Sequence, residues 1–248
     1  MNDFDISILI PAFIAGALVL LTHVPLGIKV LERGIIFADL AVAQIAGLGV
    51  VIAGLAGYSE QPLLVQLIAV ASALLGAALL TYIEHFLLEI REASIGLLFV
   101  LAASGGILLM SHDTHSGEHL KDLLVGQILW VNHSQLIATS ILSAFILAVW
   151  MGFKKNLGSF GFYSLFALAV TASVQLVGVY LVFASLIVPG LATYRLRKNR
   201  IRIAYVVGIT GYAAGLLLSV LLDLPTGAAI VWTMAISGAC VMLIKARV

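Results

Sequence analysis

The sequence predicts an all-α polytopic membrane protein, a bundle of about seven to nine transmembrane helices. Three observations carry that prediction. The 248-residue chain is 62% apolar and only 10% charged, with a mean hydropathy of +1.16. Soluble domains run at roughly 45–50% apolar and about 25% charged. Its apolar residues fall into runs near the ~20 needed to cross a hydrocarbon core about 30 Å thick, and its lysines and arginines gather in short segments between those runs. A soluble fold would lack the polar side chains to cover its surface.

Taken in chain order, the runs 7–26, 36–56, 62–83, 93–110, 134–153, 203–222 and 224–244 each predict a span. The stretch 156–194 has no Asp, Glu, Lys or Arg, and as one helix it would reach about 58 Å at ~1.5 Å per residue. It reads as a helical hairpin, a broken re-entrant pair, or a short surface helix feeding one long tilted span. The positive-inside rule places Lys29, Arg33, Arg91, Lys154, Lys155, the cluster Arg195, Arg197, Lys198, Arg200 and Arg202, and Lys245 and Arg247 in the cytoplasm. "GYSEQP" (57–62), "SHDTHSGEH" (111–119) and "DLPTG" (223–227) then lie outside. The scheme closes if 156–194 leaves and returns on one side, with the N-terminus outside and the C-terminus inside. The acidic opening "MNDFD" lacks the positive charge of a secretory signal, so the first apolar run is expected to be a retained span. No linker or low-complexity tract divides the chain, and residues 1–248 are expected to form a single transmembrane domain. Small residues in "GLGVVIAGLAG" and "ASALLGAALL" permit close helix approach in lipid. A net charge of +1 offers no basic field for nucleic acid, and the lone Cys240 has no internal disulfide partner.

Polar residues are few enough to be weighed singly. "SHDTHSGEHLKD" (111–122) holds three of the six histidines. On a helix starting near Gly117, Glu118 and Asp122 share a face with His119 beside them. His112, Asp113, His115, Glu118, His119 and Asp122 together offer imidazole and carboxylate, which suit zinc and similar ions; the same composition also serves as a solvated loop. Asp39 is the only acid between residues 34 and 59. A charged aspartate in hydrocarbon costs at least ~2.5–3.5 kcal/mol on insertion scales, so it marks a pathway or a paired site, the pairing alternative being Arg33 or Lys29. Gln44, His23 and Gln175 read either as lining a cavity shared with Asp39 or as satisfied interior polar groups. The segment "VPGLATYRLRKNRIRIAY" (188–205) follows an apolar run with a basic stretch of helical composition, which serves membrane anchoring or docking of a partner.

These residues together carry a resemblance. "QLVGVYLVFASLIVPGLATYRL" (175–196), "VLERGIIFADLAVAQIAGLGV" (30–50), "EASIGLLFVLAAS" (92–104), "DLLVGQILWVN" (122–132) and "LPTGAAIVW" (224–232) occur in the order found in the membrane permease of zinc- and manganese-type ABC importers. The chain resembles that family over nearly its whole length. The resemblance implies a type II ABC importer-like bundle, a homodimeric permease core in a bacterial plasma (inner) membrane, and a cytoplasmic ATPase on each subunit. It also implies delivery by an extracytoplasmic metal-binding protein and alternating access for a divalent ion, zinc or manganese type, with no permanently bound cofactor. The chain itself is then expected not to be an enzyme. It has no "GxxxxGK[ST]" phosphate loop, so ATP hydrolysis would belong to another chain. Asp39 falls on the family motif's aspartate, the 112–122 segment becomes an ion entrance, and residues 191–203 become the helix that receives the ATPase stroke. The family's pattern has histidine four residues after the aspartate; here that position is Ala43, with Gln44 next to it. The rival reading is a stand-alone secondary transporter, for which the chain shows no convincing internal repeat. An intramembrane metalloenzyme would need an "HExxH" or similar helical ligand pair, and none is present.

Overall fold

A computed structural model describes residues 6–110, 128–153 and 156–246. Every regular element among them is helical. The helices are α1 (Ile6–Arg33), α2 (Ala38–Leu55), α3 (Pro62–Phe86), α4 (Arg91–Met110), α5 (His133–Phe153), α6 (Ser159–Val177), α7 (Val179–Ala192), α8 (Arg200–Leu222) and α9 (Thr226–Ala246), with 3₁₀ turns at Leu88–Ile90 and Ile128–Trp130. Among the described residues, eight helices are long and apolar enough to cross a membrane, and α7, at 14 residues, is a shorter apolar one. The predicted all-α, many-span class is what the chain adopts. Large apolar side chains lie fully open, as at Leu63 (75% exposed), Trp232 (71%) and Met151 (78%), a surface that hydrocarbon covers and water penalises.

Two compact units divide the chain: Met1–Arg33, Leu124–Phe145 and Ser173–Val248 form one, and Gly34–Leu123 and Ile146–Ala172 the other. In the first, α1 packs on α7 and α8, and α9 packs on both α7 and α8. Glycines let these helices touch backbone to backbone. A Cβ at Gly27 of α1 would run into the Leu186 carbonyl oxygen of α7, and one at Gly211 of α8 would meet Met234 of α9 at 2.6 Å. Polar bonds cross the same interfaces. Tyr212 of α8 and Ser185 of α7, both buried, share a hydrogen bond of 2.9 Å, and the Thr233 hydroxyl of α9 donates to the Gly211 carbonyl at 2.7 Å. Pro25 interrupts α1 from within, and a proline there leaves the carbonyl four residues back without its N–H. That carbonyl belongs to Leu21, and the Tyr205 hydroxyl of α8 donates to it at 3.1 Å. In the second unit α2 packs on α3 and α4, mostly through small side chains, with Ser72 against Gly49 and Ile45 against Gly76.

Three departures from the sequence reading have local causes. Helix α1 continues to Arg33, beyond the expected end of the span at 26. Its last charged turns are neutralised, with Glu32 Oε2 at 3.4 Å from Lys29 Nζ and Oε1 at 2.9 Å from Arg200 Nη1, and Arg33 suits the negative end of the helix dipole. The uncharged stretch 156–194 resolves into α6 and α7 separated by Gly178 alone, at φ 81°. That is the broken form among the alternatives, and the left-handed φ is one only glycine adopts freely. The third is a correction: the helix expected over 191–203 does not exist as such. Helix α7 ends at Ala192, residues 193–199 form turns and bends, and α8 opens at Arg200. Thr193 caps the closing turn by donating to the Pro189 and Gly190 carbonyls at 2.8 and 3.2 Å. Asn199 takes a left-handed φ of 56°, which breaks any continuous helix there.

Candidate functional site

Asp39 sits in the first turn of α2. Gly34, at φ 64°, turns the chain out of α1, and α2 starts four residues later without a side-chain cap from Phe37. Glu92, at the start of α4, supplies what the cap lacks: its Oε1 accepts the Phe37 amide at 3.3 Å. Asp39 therefore faces the free N–H groups of the turn, where a negative charge is favoured by the dipole. Its side chain is 1% exposed, on a face shared with Ala38, Val42, Ala43 and Ala46. Its Oδ1 has no hydrogen-bond partner among the described residues. Lys29, one of the two alternative partners, bonds Glu32 instead. Gln44 is half-buried farther along the same helix.

Glu92 is a residue that the sequence reading passed over. It opens "EASIGLLFVLAAS", but its bond to Phe37 spans 55 residues, and no local pattern announces it. Like Asp39, it keeps one buried oxygen, Oε2, without a partner among the described residues.

His23 lies in the other unit, on α1, with no exposed surface. Its Nδ1 is 3.0 Å from the Val19 carbonyl and 3.1 Å from the Thr22 hydroxyl, which itself donates to Val19 at 3.2 Å. Its Nε2 has no partner among the described residues. Gln175, near the end of α6, is exposed. Asp39, Gln44 and Glu92 thus share a unit, while His23 and Gln175 belong to the other. His112, Asp113, His115, Glu118, His119 and Asp122 lie outside the described residues. Among the described residues, no three His, Cys, Asp or Glu side chains group closely enough to hold an ion together.

The basic segment separates into two kinds of residue. Arg195, Arg197, Lys198 and Arg202 are exposed. Arg200 is turned inward to Glu32 and lies over the Tyr194 ring, 5.9 Å from its centroid.

Comparison with known proteins gives the fold and these residues a context. The pattern of the ABC 3 transport family matches residues 5–162 and 148–245. The chain belongs to the ABC 3 transport family. This family member is similar to the manganese transport system membrane protein MntC of Halalkalibacterium halodurans, with 28% identity over 229 residues, 83% of this chain and 76% of that protein. It is similar also to a probable metal transport system membrane protein of Thermotoga maritima, 28% identical over 251 residues, 92% of this chain and 86% of that one. A probable iron transport system membrane protein of Haemophilus influenzae is 27% identical over 163 residues, spanning 57% of this chain and 60% of that protein. Among solved structures, PsaBC from Streptococcus pneumoniae in complex with Fab superposes with a TM-score of 0.74 at 23% identity, covering 94% of this chain and 90% of that one. That likeness is one of fold. The ABC 3 family member is a multi-pass membrane transport protein, as the resemblance implied.

Proposed function

We propose that this chain is the membrane-spanning permease subunit of an ATP-driven importer of a divalent metal ion, zinc or manganese type, with residues 1–248 acting as one permease domain. The observation that carries the reading is Asp39. A carboxylate with 1% exposure and an unpartnered oxygen inside a spanning helix costs more than any apolar residue at that position would, and a passing cation offsets that cost. Gln44 farther along α2 offers a second, neutral oxygen. The names of the relatives, for manganese, iron and metal transport systems, support a metal cargo. The first-turn position sets Asp39 near one end of α2, the cytoplasmic end if Arg33 and Arg91 face inward, so it would act closer to the exit than to mid-membrane.

In this reading the chain works as a homodimer. A cytoplasmic ABC ATPase binds each subunit, and an extracytoplasmic metal-binding protein delivers the ion to the 112–122 segment. The exposed Arg195, Arg197, Lys198 and Arg202 meet the ATPase, and Arg200 holds their loop to α1. Low affinity along the path is what transit needs, since a tight site would trap the ion.

The test is zinc and manganese flux into vesicles carrying the chain with and without its ATPase. Uptake only with the ATPase and ATP is the expected result, and R197E/K198E should abolish it by detaching the ATPase. Flux sustained by a proton or sodium gradient without that subunit would assign the chain to secondary transport instead.

A further inference from the structure

The histidine on α1 is bonded in a way that fixes what its ring can do. Nδ1 is within hydrogen-bond reach of the Val19 carbonyl, which can only accept, so the proton belongs on Nδ1. The Thr22 hydroxyl donates to the same carbonyl, and both polar groups are then satisfied. The opposite tautomer would set a ring lone pair against a carbonyl lone pair and bury an N–H at Nε2 with no acceptor. Nε2 therefore carries an unprotonated lone pair, oriented by the bond on the far side of the ring, and it has no partner among the described residues. This is how ligating imidazoles are prepared, with one nitrogen donating to a carbonyl and the other left free. A leucine or methionine would fill the position without leaving a buried acceptor unmet.

We propose that His23 Nε2 is a ligand for the transported ion, one that makes the route prefer borderline transition ions such as zinc over hard alkaline-earth ions such as calcium. The proposal rests on the metal-import reading above and adds to it a named atom and a selectivity. Carboxylate and amide oxygens, such as those of Asp39 and Gln44, serve hard and borderline ions alike, whereas imidazole nitrogen favours the borderline ones.

The assembled transporter in vesicles, assayed for zinc and for calcium flux, tests this. His23→Asn places an amide N–H where Nδ1 was, keeping the bond to Val19, and deletes Nε2. It should assemble as the wild type does and lower the zinc-to-calcium flux ratio by on the order of tenfold or more. His23→Gln loses the Val19 bond but sets an amide near the Nε2 position, and it should carry ions without the zinc preference. A wild-type ratio in His23→Asn overturns the proposal, as does loss of assembly in His23→Asn while His23→Gln assembles, which would make the Val19 bond the reason for the histidine. A reading on unmutated His23 is pulsed electron paramagnetic resonance with copper(II), a paramagnetic ion that imidazole suits. The chain would carry isotopically labelled histidine, with His85, His112, His115, His119 and His133 replaced by alanine and the partners unlabelled. Labelled-nitrogen coupling is expected, and its absence at saturating ion overturns the assignment. Failure of the wild type to move any divalent ion would instead remove the import reading itself.

Discussion

The two compact units hold their helices together by different means. In the unit containing α1, α7, α8 and α9, polar bonds tie α8 to each of the other three: Tyr212 with Ser185, Thr233 with the Gly211 carbonyl, Tyr205 with the Leu21 carbonyl and Arg200 with Glu32. Each fixes one register of one helix on another. In the unit of α2, α3 and α4, small apolar side chains dominate, and the tie at the start of α2 is the single long bond from Phe37 to Glu92. Smooth apolar faces have no directional bonds to break when helices slide. The comparison teaches that the buried Asp39 carboxylate lies in the unit whose helices α2, α3 and α4 meet mainly through small side chains, apart from the polar bonds described for α1, α7, α8 and α9.

The largest effect expected is at Gly27. Replacement by leucine must displace the Leu186 backbone, and overpacking at backbone contact costs about 1–3 kcal/mol or more. Detergent-solubilised yield of folded protein should collapse; retention of full yield would show that the bonded unit gives way as easily as its neighbour. Next is Asp39→Asn, which removes a buried charge but little volume. Thermal stability should hold or rise, because a neutral amide is cheaper to bury, while metal flux falls at least about tenfold. Lowered stability with proportionate flux would make Asp39 a structural group and erase the contrast between the units. The smallest is Tyr212→Phe, which deletes one buried bond and should cost about 1 kcal/mol, read as a modest drop in melting temperature with unaltered ion selectivity.

Much of this architecture was legible in the sequence, because the physics behind it is local. A span must supply ~20 apolar residues in succession, and no tertiary contact can excuse their absence, so the long helices stand out in composition alone. Asp39 was legible for the complementary reason, as a charge where charges are costly. What was hidden depends on partners far along the chain. The extension of α1 through Glu32 relies on Arg200, 168 residues away, and the role of Glu92 relies on a backbone amide 55 residues back. The break between α6 and α7 lies at a glycine, but nothing distinguishes Gly178 from other glycines until its φ is known. The segment 193–199 misled in the other direction: its composition is helical, yet Thr193 and Asn199 end one helix and delay the next. Helix propensity is a weak prior that such caps override.

The bond from Tyr205 to the Leu21 carbonyl has a corollary. An oxygen released by a proline inside hydrocarbon has no water to turn to, so Pro25 in α1 is tolerable only while α8 stands alongside to donate. Loss of the Tyr205 hydroxyl would therefore leave the Leu21 carbonyl without its donor inside α1. Helix α8 begins where the basic loop ends and is bonded to α1 two residues from His23.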